Sequence, residues 1–168
     1  RLYDMKNQNL LVFDYNNAIQ SATKQFKLKN DLFVEQNIAQ INHINTEKKF
    51  PEFNREKLMP YGVTQEGTPI AIGDVNNDGK DDMFFGATKG YTSVLYISSS
   101  DNSYLKTTHA FENEKKHEDT DAIFTDIDND DDLDLFVVSG GGEFQGKSNY
   151  NKDRVYINDG NGNFSLSQ

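Results

Sequence analysis

The feature that most constrains this chain is a segment that occurs twice. Ile70-Ala71-Ile72-Gly73-Asp74-Val75-Asn76-Asn77-Asp78-Gly79-Lys80-Asp81-Asp82-Met83-Phe84-Phe85 matches the segment from Ala122 to Val137 at a shift of 52 residues. Farther on, Val94-Leu95-Tyr96-Ile97 matches Arg154-Val155-Tyr156-Ile157 at a shift of 60, so the second copy carries about eight extra residues, between Ser139 and Asp153. Self-similarity at a period of about 20–50 residues is the mark of a repeat architecture, in which each copy is one supersecondary unit.

Each copy reads as four short strands. The expected spans are 69–73, 82–87, 92–97 and 103–110 in the first, then 120–125, 133–138, 154–158 and a last one starting near Asn163. Their β-branched and aromatic residues favour strands over helices, and the Asn-Asp-Gly turn at 158–163 suits a tight hairpin. Ser139–Asp153, rich in Gly and polar residues, reads as a long exposed loop. Four strands per repeat of about 50 residues is the arithmetic of a β-propeller blade, and two blades cannot close a ring of roughly four to eight. The expected fold is therefore all-β: two complete four-stranded blades plus part of another, as a fragment of a larger propeller. Residues 61–112 and 113–168 are the two blades, and 1–60 form a connector or an outer strand of a preceding blade. Within 1–60, a strand is expected at 9–14 and weak helical spacing runs over 16–29.

The charge is concentrated in the duplicated segment. Of a formal net charge of −10, Asp74–Asp82 holds four acids and one base, and Asp126–Asp134 holds six acids and no base. The remainder is nearly neutral. Such a surface lacks the clustered Lys and Arg that nucleic acid requires, so a nucleic-acid partner is excluded. The hydrophobic share is 35% and the mean hydropathy −0.77, which leaves a thin core whose area comes mainly from 12 Phe and 8 Tyr. There is no Cys, hence no disulfide framework and no Cys-type zinc site. No apolar run approaches the roughly 20 residues of a membrane-spanning helix. The sequence opens at Arg1 without a leader pattern, which raises the expectation that it is a piece of something longer.

Both acidic loops place side-chain oxygens at loop positions one, three, five and nine. These are Asp74, Asn76, Asp78 and Asp82 in the first, and Asp126, Asp128, Asp130 and Asp134 in the second. The seventh residue, Lys80 or Asp132, can add its backbone carbonyl. Calcium takes about six to eight oxygens at about 2.3–2.6 Å, and alternating carboxylates on a short turning loop converge on one point. A position-nine carboxylate binding through both oxygens would complete the shell. Two Ca²⁺ sites are therefore expected. Mg²⁺ fits less well because it demands a tight octahedron and keeps its waters, and transition metals prefer His or Cys. An EF-hand is ruled out by Phe85 and Val137, which stand where a Glu belongs. The plainer reading is a pair of solvated Asp-Asn turns, against which stands the mutual repulsion of six acids within nine residues. Gly79 holds the sixth position, where the chain turns sharply. Asp131 holds it in the second loop and can turn there only at some cost.

The run Asp74–Asp82 followed by Phe85-Gly86-Ala87-Thr88 resembles an FG-GAP repeat, the type found in integrin α-subunit propellers and bacterial VCBS-repeat proteins. Thr88 stands where Pro is commoner. Phe124–Gly141 and Asn158–Phe164 are similar to VCBS-type repeats, and the resemblance covers about 67–168, with a looser likeness over Leu32–Gly67. It implies a Ca²⁺-stabilised propeller of an extracytoplasmic bacterial protein, secreted or on the cell surface or outer membrane. It further implies structural calcium, no catalysis, and a protein or glycan ligand in adhesion. A high Asn content, 19 of 168, points to a low-GC bacterium. The alternatives are a non-catalytic part of a polysaccharide-acting enzyme, or an accessory subunit of an outer-membrane or surface complex.

Other chemistry-bearing residues carry less. His43, His109 and His117 have no mutual ligand spacing and read as surface or structural. Glu118, Asp119 and Asp121 read as a solvated loop or as neighbours supporting the Asp126 site, ahead of a glycosidase-like acid pair. Glu143, Phe144, Gln145, Lys147, Asn149 and Tyr150 mix aromatic and polar groups in the manner of a sugar- or protein-binding loop, or form a plain insertion.

Overall fold

Strand alternation in the sequence becomes two separate four-stranded sheets in the computed structural model. The structure describes residues 41–47, 49–55, 57, 58, 60, 67–99, 101, 103–142, 144 and 146–167. The expected strand at 9–14 and the helical spacing over 16–29 lie outside these residues. The first sheet has the order β1 (Ile70–Gly73), β2 (Asp82–Phe85), β3 (Val94–Ser98), β4 (Tyr104–Thr107). The second has β5 (Asp119–Thr125), β6 (Asp134–Ser139), β7 (Arg154–Asn158), β8 (Phe164–Leu166). All pairings are antiparallel between sequence neighbours. Among the described residues the helical pieces are single turns, at Glu52–Arg55, His109–Phe111 and Asn149–Asn151, and no helix is long and apolar enough to cross a membrane.

Register decides which residues meet. In the first sheet Ala71, Phe84 and Leu95 are cross-strand partners and share one face, while Ile72, Met83 and Tyr96 share the other. In the second, Phe124, Leu135 and Tyr156 share a face, while Ile123, Phe136 and Val155 share the opposite one. The core forms between the Ala71 face of the first sheet and the Leu135 face of the second. Phe111 drops between them, with its ring centroid 5.3 Å from Phe84 and 5.1 Å from Tyr156, both edge-to-face. Shifting by the repeat maps Ala71, Phe84 and Leu95 onto Ile123, Phe136 and Val155, which point away from the first sheet. Ala71 is 5% exposed and its counterpart Ile123 is 57% exposed. The sheets therefore stack head to tail, each presenting the same face to its successor, as successive partial propeller blades do.

The strand ends deviate from expectation for identifiable reasons. β2 ends at Phe85 because the next pair in register, Gly86 with Pro69, makes only one of its two ladder bonds: the Gly86 amide reaches the Pro69 carbonyl at 2.9 Å, but proline has no N–H to return. A Cβ on Gly86 would lie 2.6 Å from the Pro69 ring and 2.9 Å from Asp119 Cβ, so only glycine fits this close approach. β4 stops at Thr107 so that the following turn can deliver Phe111 to the core. The connection after β6 is less exposed than its composition suggests. Tyr150 packs edge-on to His117 (5.6 Å) and against Phe144 (5.0 Å), and the Lys89 ammonium sits 4.1 Å above Phe144.

At the end opposite the acidic loops a buried charge pair of the second sheet, between β5 and β7, also holds the β2–β3 connection of the first. Asp119, 2% exposed, accepts from Arg154 Nη2 through Oδ1, and from the Ala87 amide (2.8 Å) and Ser93 Oγ (2.6 Å) through Oδ2. Arg154 also donates to Ser139 Oγ (3.2 Å) and to the Tyr156 hydroxyl (3.3 Å). This corrects the expectation for Glu118 and Asp119, whereas Asp121 is exposed as expected. Asp119 starts β5 whereas Asp126 follows its end, about 20 Å away at ~3.3 Å per residue, and Glu118 is buried with its Oε2 on the Lys89 amide (2.8 Å). The lead-in meets the first sheet where His43 stacks on Phe85 at 4.6 Å and Thr88 Oγ1 donates to the Thr46 carbonyl at 2.6 Å.

Because Phe111 touches both sheets, Phe111→Ala is expected to remove about 3–5 kcal/mol of stability. Urea unfolding followed by far-ultraviolet circular dichroism and by tyrosine fluorescence should keep one shared transition at lower midpoint.

Candidate metal centre

Each acidic loop connects the first two strands of its sheet, β1 to β2 and β5 to β6, so both emerge at the same end of their sheets. Their backbones bend alike. The fourth residues, Asn77 and Asn129, have φ of 58° and 70°, and the sixth, Gly79 and Asp131, have φ of 83° and 71°. Two left-handed residues in alternation curl the chain around the side chains of positions one, three and five.

Position one holds the curl. In the first loop Asp74 Oδ1 accepts the Asp78 amide (3.0 Å) and Oδ2 the Gly79 amide (2.8 Å). In the second, Asp126 Oδ1 accepts Asn129 (2.7 Å) and Asp130 (3.3 Å), and Oδ2 accepts Asp131 (3.3 Å). Position five repeats the device one step on, with Asp78 Oδ1 on the Lys80 amide (3.0 Å) and Asp130 Oδ1 on the Asp132 amide (3.2 Å). Asn76 Oδ1 adds a contact to the Asp78 amide at 3.2 Å.

The position-nine acids sit elsewhere. Asp82 and Asp134 are both 0% exposed. Asp82 accepts the Val75 amide (2.9 Å) on Oδ2 and the Ser98 amide (2.7 Å) on Oδ1. Asp134 does the same with Ile127 (2.9 Å) and Asn158 (2.9 Å). Each is thus a pin between the second loop residue and the end of the third strand. Burial raises the Asp82 pKa, opposed by those two amides. Position seven differs between the loops: Lys80 Nζ donates to the Ser99 carbonyl at 2.6 Å, whereas Asp132 turns its carboxylate toward the β7–β8 hairpin.

In the second loop the structure brings Asp126, Asp128 and Asp130 together, with one carboxylate oxygen from each lying within 4.8 Å of the others. Two oxygens on opposite sides of one Ca²⁺ are separated by about 4.6–5.2 Å, twice the Ca–O distance, so the spacing fits one shared ion. The donor set is all oxygen. Asp132 Oδ1 is buried without a hydrogen-bond partner, the mark of a group whose natural partner is a cation or a proton. Burial, then a hydrogen bond with Asp130 and the charges of Asp130, Asp134 and Asp128, push the Asp132 carboxyl up to about 6. Burial and the charges of Asp130, Asp134 and Asp126 also raise Asp128. These residues could hold a metal ion, compatible with calcium.

Residues 74–137 match the family model described as an FG-GAP-like repeat. The match begins at the first acid of the first loop and ends within β6, so the repeat takes in both acidic loops and the seam between the sheets. Comparison with curated proteins and with solved structures gives no match.

Sequence reasoning did not anticipate the pinning role of Asp82 and Asp134, nor Asn158. The signal was available: Ser98 and Asn158 stand at the same repeat position, each closing a third strand before a turn. His43, His109 and His117 lie apart from the loops, His117 pairing with Glu114 at 3.1 Å.

Two predictions follow from these loops. In chelator, Asp132 keeps a proton in the folded state that the unfolded chain releases, so its contribution is full below about pH 4 and is lost as pH rises through about 6. The stability difference between wild type and Asp132→Asn, measured by urea unfolding from pH 4 to 7, should shift in that direction. Gly79→Ala meets nothing within 4 Å and costs only left-handed strain, about 1 kcal/mol, whereas Asp131→Gly should gain up to about 1 kcal/mol.

Proposed function

We propose that the chain is a calcium-stabilised β-propeller module that binds and does not catalyse. The observation that carries this is the convergence of Asp126, Asp128 and Asp130 on a loop whose curl recurs, with the same left-handed positions, in the first repeat. A loop built around carboxylates whose remaining lone pairs share one point is electrostatically incomplete without a cation. The metal set proposed is Asp74, Asn76, Asp78 and the Lys80 carbonyl in the first loop. In the second it is Asp126, Asp128, Asp130 and the Asp132 carbonyl. Asp82 and Asp134 join through lone pairs not taken by the amides. When bound, calcium neutralises each loop and fixes the β1–β2 and β5–β6 connections; its role is structural.

The setting that fits such loops is extracytoplasmic, on a bacterial cell surface or in a secreted protein, where calcium is plentiful enough to fill sites of about 10⁻⁴–10⁻³ M. The ligand is a protein or a glycan met in adhesion. The connections at the opposite end, with Phe144, Tyr150, Lys89 and Lys116 gathered together, offer the mixed aromatic and polar surface such ligands use.

Calcium at 10 mM is expected to stabilise the protein by roughly 1–3 kcal/mol per filled loop, which raises Tm by several degrees over the value in EDTA. Asp126→Asn/Asp128→Asn should lose the second loop's share. Coincident melting curves in calcium and in EDTA would sink the proposal.

A further inference from the structure

The Asn158 side chain touches the machinery of both loops. Its amide nitrogen donates to the Val75 carbonyl in the first loop (2.7 Å) and to the Leu133 carbonyl beside the second (3.0 Å). Its side-chain oxygen accepts the Gly162 amide (3.0 Å), which fixes which way the amide faces. It is 4% exposed, so each of these bonds is made away from competing water.

The backbone of the same residue holds the second loop. The Asn158 amide donates to Asp134 Oδ1 while Asp134 Oδ2 holds Ile127, the second residue of that loop. Val75 is the second residue of the first loop, 0% exposed, with its own amide on Asp82. A continuous path therefore runs from Val75 through the Asn158 side chain to its backbone, to Asp134 and to Ile127. Each link fixes the peptide that aims a first- or third-position ligand. The equivalent residue of the first sheet, Ser98, keeps the backbone half of the device, on Asp82, and its short hydroxyl stays beside that same carboxylate. Among the described residues the cross-sheet arm is made by the Asn158 side chain, with no counterpart from Ser98.

We infer that Asn158 is a positioning residue that couples the two loops, so that a cation filling the first raises the affinity of the second, and the reverse. This rests on the calcium reading above. Ordering the Val75 peptide around an ion sets Asn158 and, through it, Asp134 and Ile127, so the second ion meets a loop already held in its binding geometry. Coupling of this kind is reciprocal, and a factor of about five or more is ordinary for it.

The test is a cycle read by calorimetric titration with Ca²⁺ alone, at about 0.15 M salt to screen direct repulsion between the loops. The second loop's Kd is measured with the first loop intact and with it silenced by Asp74→Asn/Asp78→Asn. The same pair is then measured in Asn158→Ser, which copies the residue that the first sheet carries at this position. Silencing is expected to weaken the second loop about five-fold or more in the parent chain and less than about two-fold in Asn158→Ser. A change in general stability alone would leave that ratio untouched. Equal second-loop Kd values with and without the first loop overturn the coupling, as does a silencing effect undiminished in Asn158→Ser. Where the Ser variant fails to fold, the parent-chain comparison still decides whether the loops are coupled, and Asn158→Asp, which keeps the side-chain oxygen but not the donor to Val75, takes the place of Ser in the cycle. If neither loop of the parent chain takes up Ca²⁺, the calcium reading fails and the coupling with it, an outcome distinct from two ions bound independently.

Discussion

The structure depends on two carboxylates buried to zero exposure, Asp82 and Asp134, each bonded through both oxygens to backbone amides. An ionised group in that position is costly unless its lone pairs are met, and the two amides meet them. What they connect matters more than their net contribution. Each ties the start of a loop to the end of the third strand, so a flexible nine-residue connection acquires a fixed mouth. The curl of the loop, the direction of its odd-numbered side chains and the crossing of the first three strands all follow from that tie. Removing one of these acids would leave two buried amides without acceptors, a cost of about 1–3 kcal/mol each.

Much of this was legible in the sequence because a repeat supplies its own control. Aligning Ile70–Phe85 with Ala122–Val137 places the loops, the flanking strands and the left-handed sixth position together, and the observed strands lie within a few residues of the expected ones. Position nine was legible as an acid and illegible as a pin. Spacing along a strand does not say whether a carboxylate faces an ion or a backbone amide from a neighbouring strand. Asp119 was misplaced for a similar reason. Its charge suggested solvent, while Arg154, its partner 35 residues later, became visible only once β5 and β7 were placed in one sheet on either side of β6. The Phe111 turn was missed because a strand pattern continues through it, and only the need to fill the gap between two sheets bends the chain there.

The two ends of the sheets are held by different physics. At one, carboxylates gather without cationic partners of their own number, so the geometry answers to whatever positive charge is supplied. At the other, Asp119 and Arg154 satisfy each other and draw in Ala87, Ser93 and Ser139, so that seam is closed by the chain alone. The head-to-tail core lies between these ends and serves both.

The eight additional residues of the second unit fall between β6 and β7, at the self-closed end. Length added there displaces neither a pin nor a loop ligand, since the Asp134 and Asn158 that frame it are anchored at the far end of the same strands. The fold thus separates a rim that must keep its residue count from one that can lengthen and diversify. Inherited variation in what the module touches would collect on the second rim, while the first would record only whether the unit still folds.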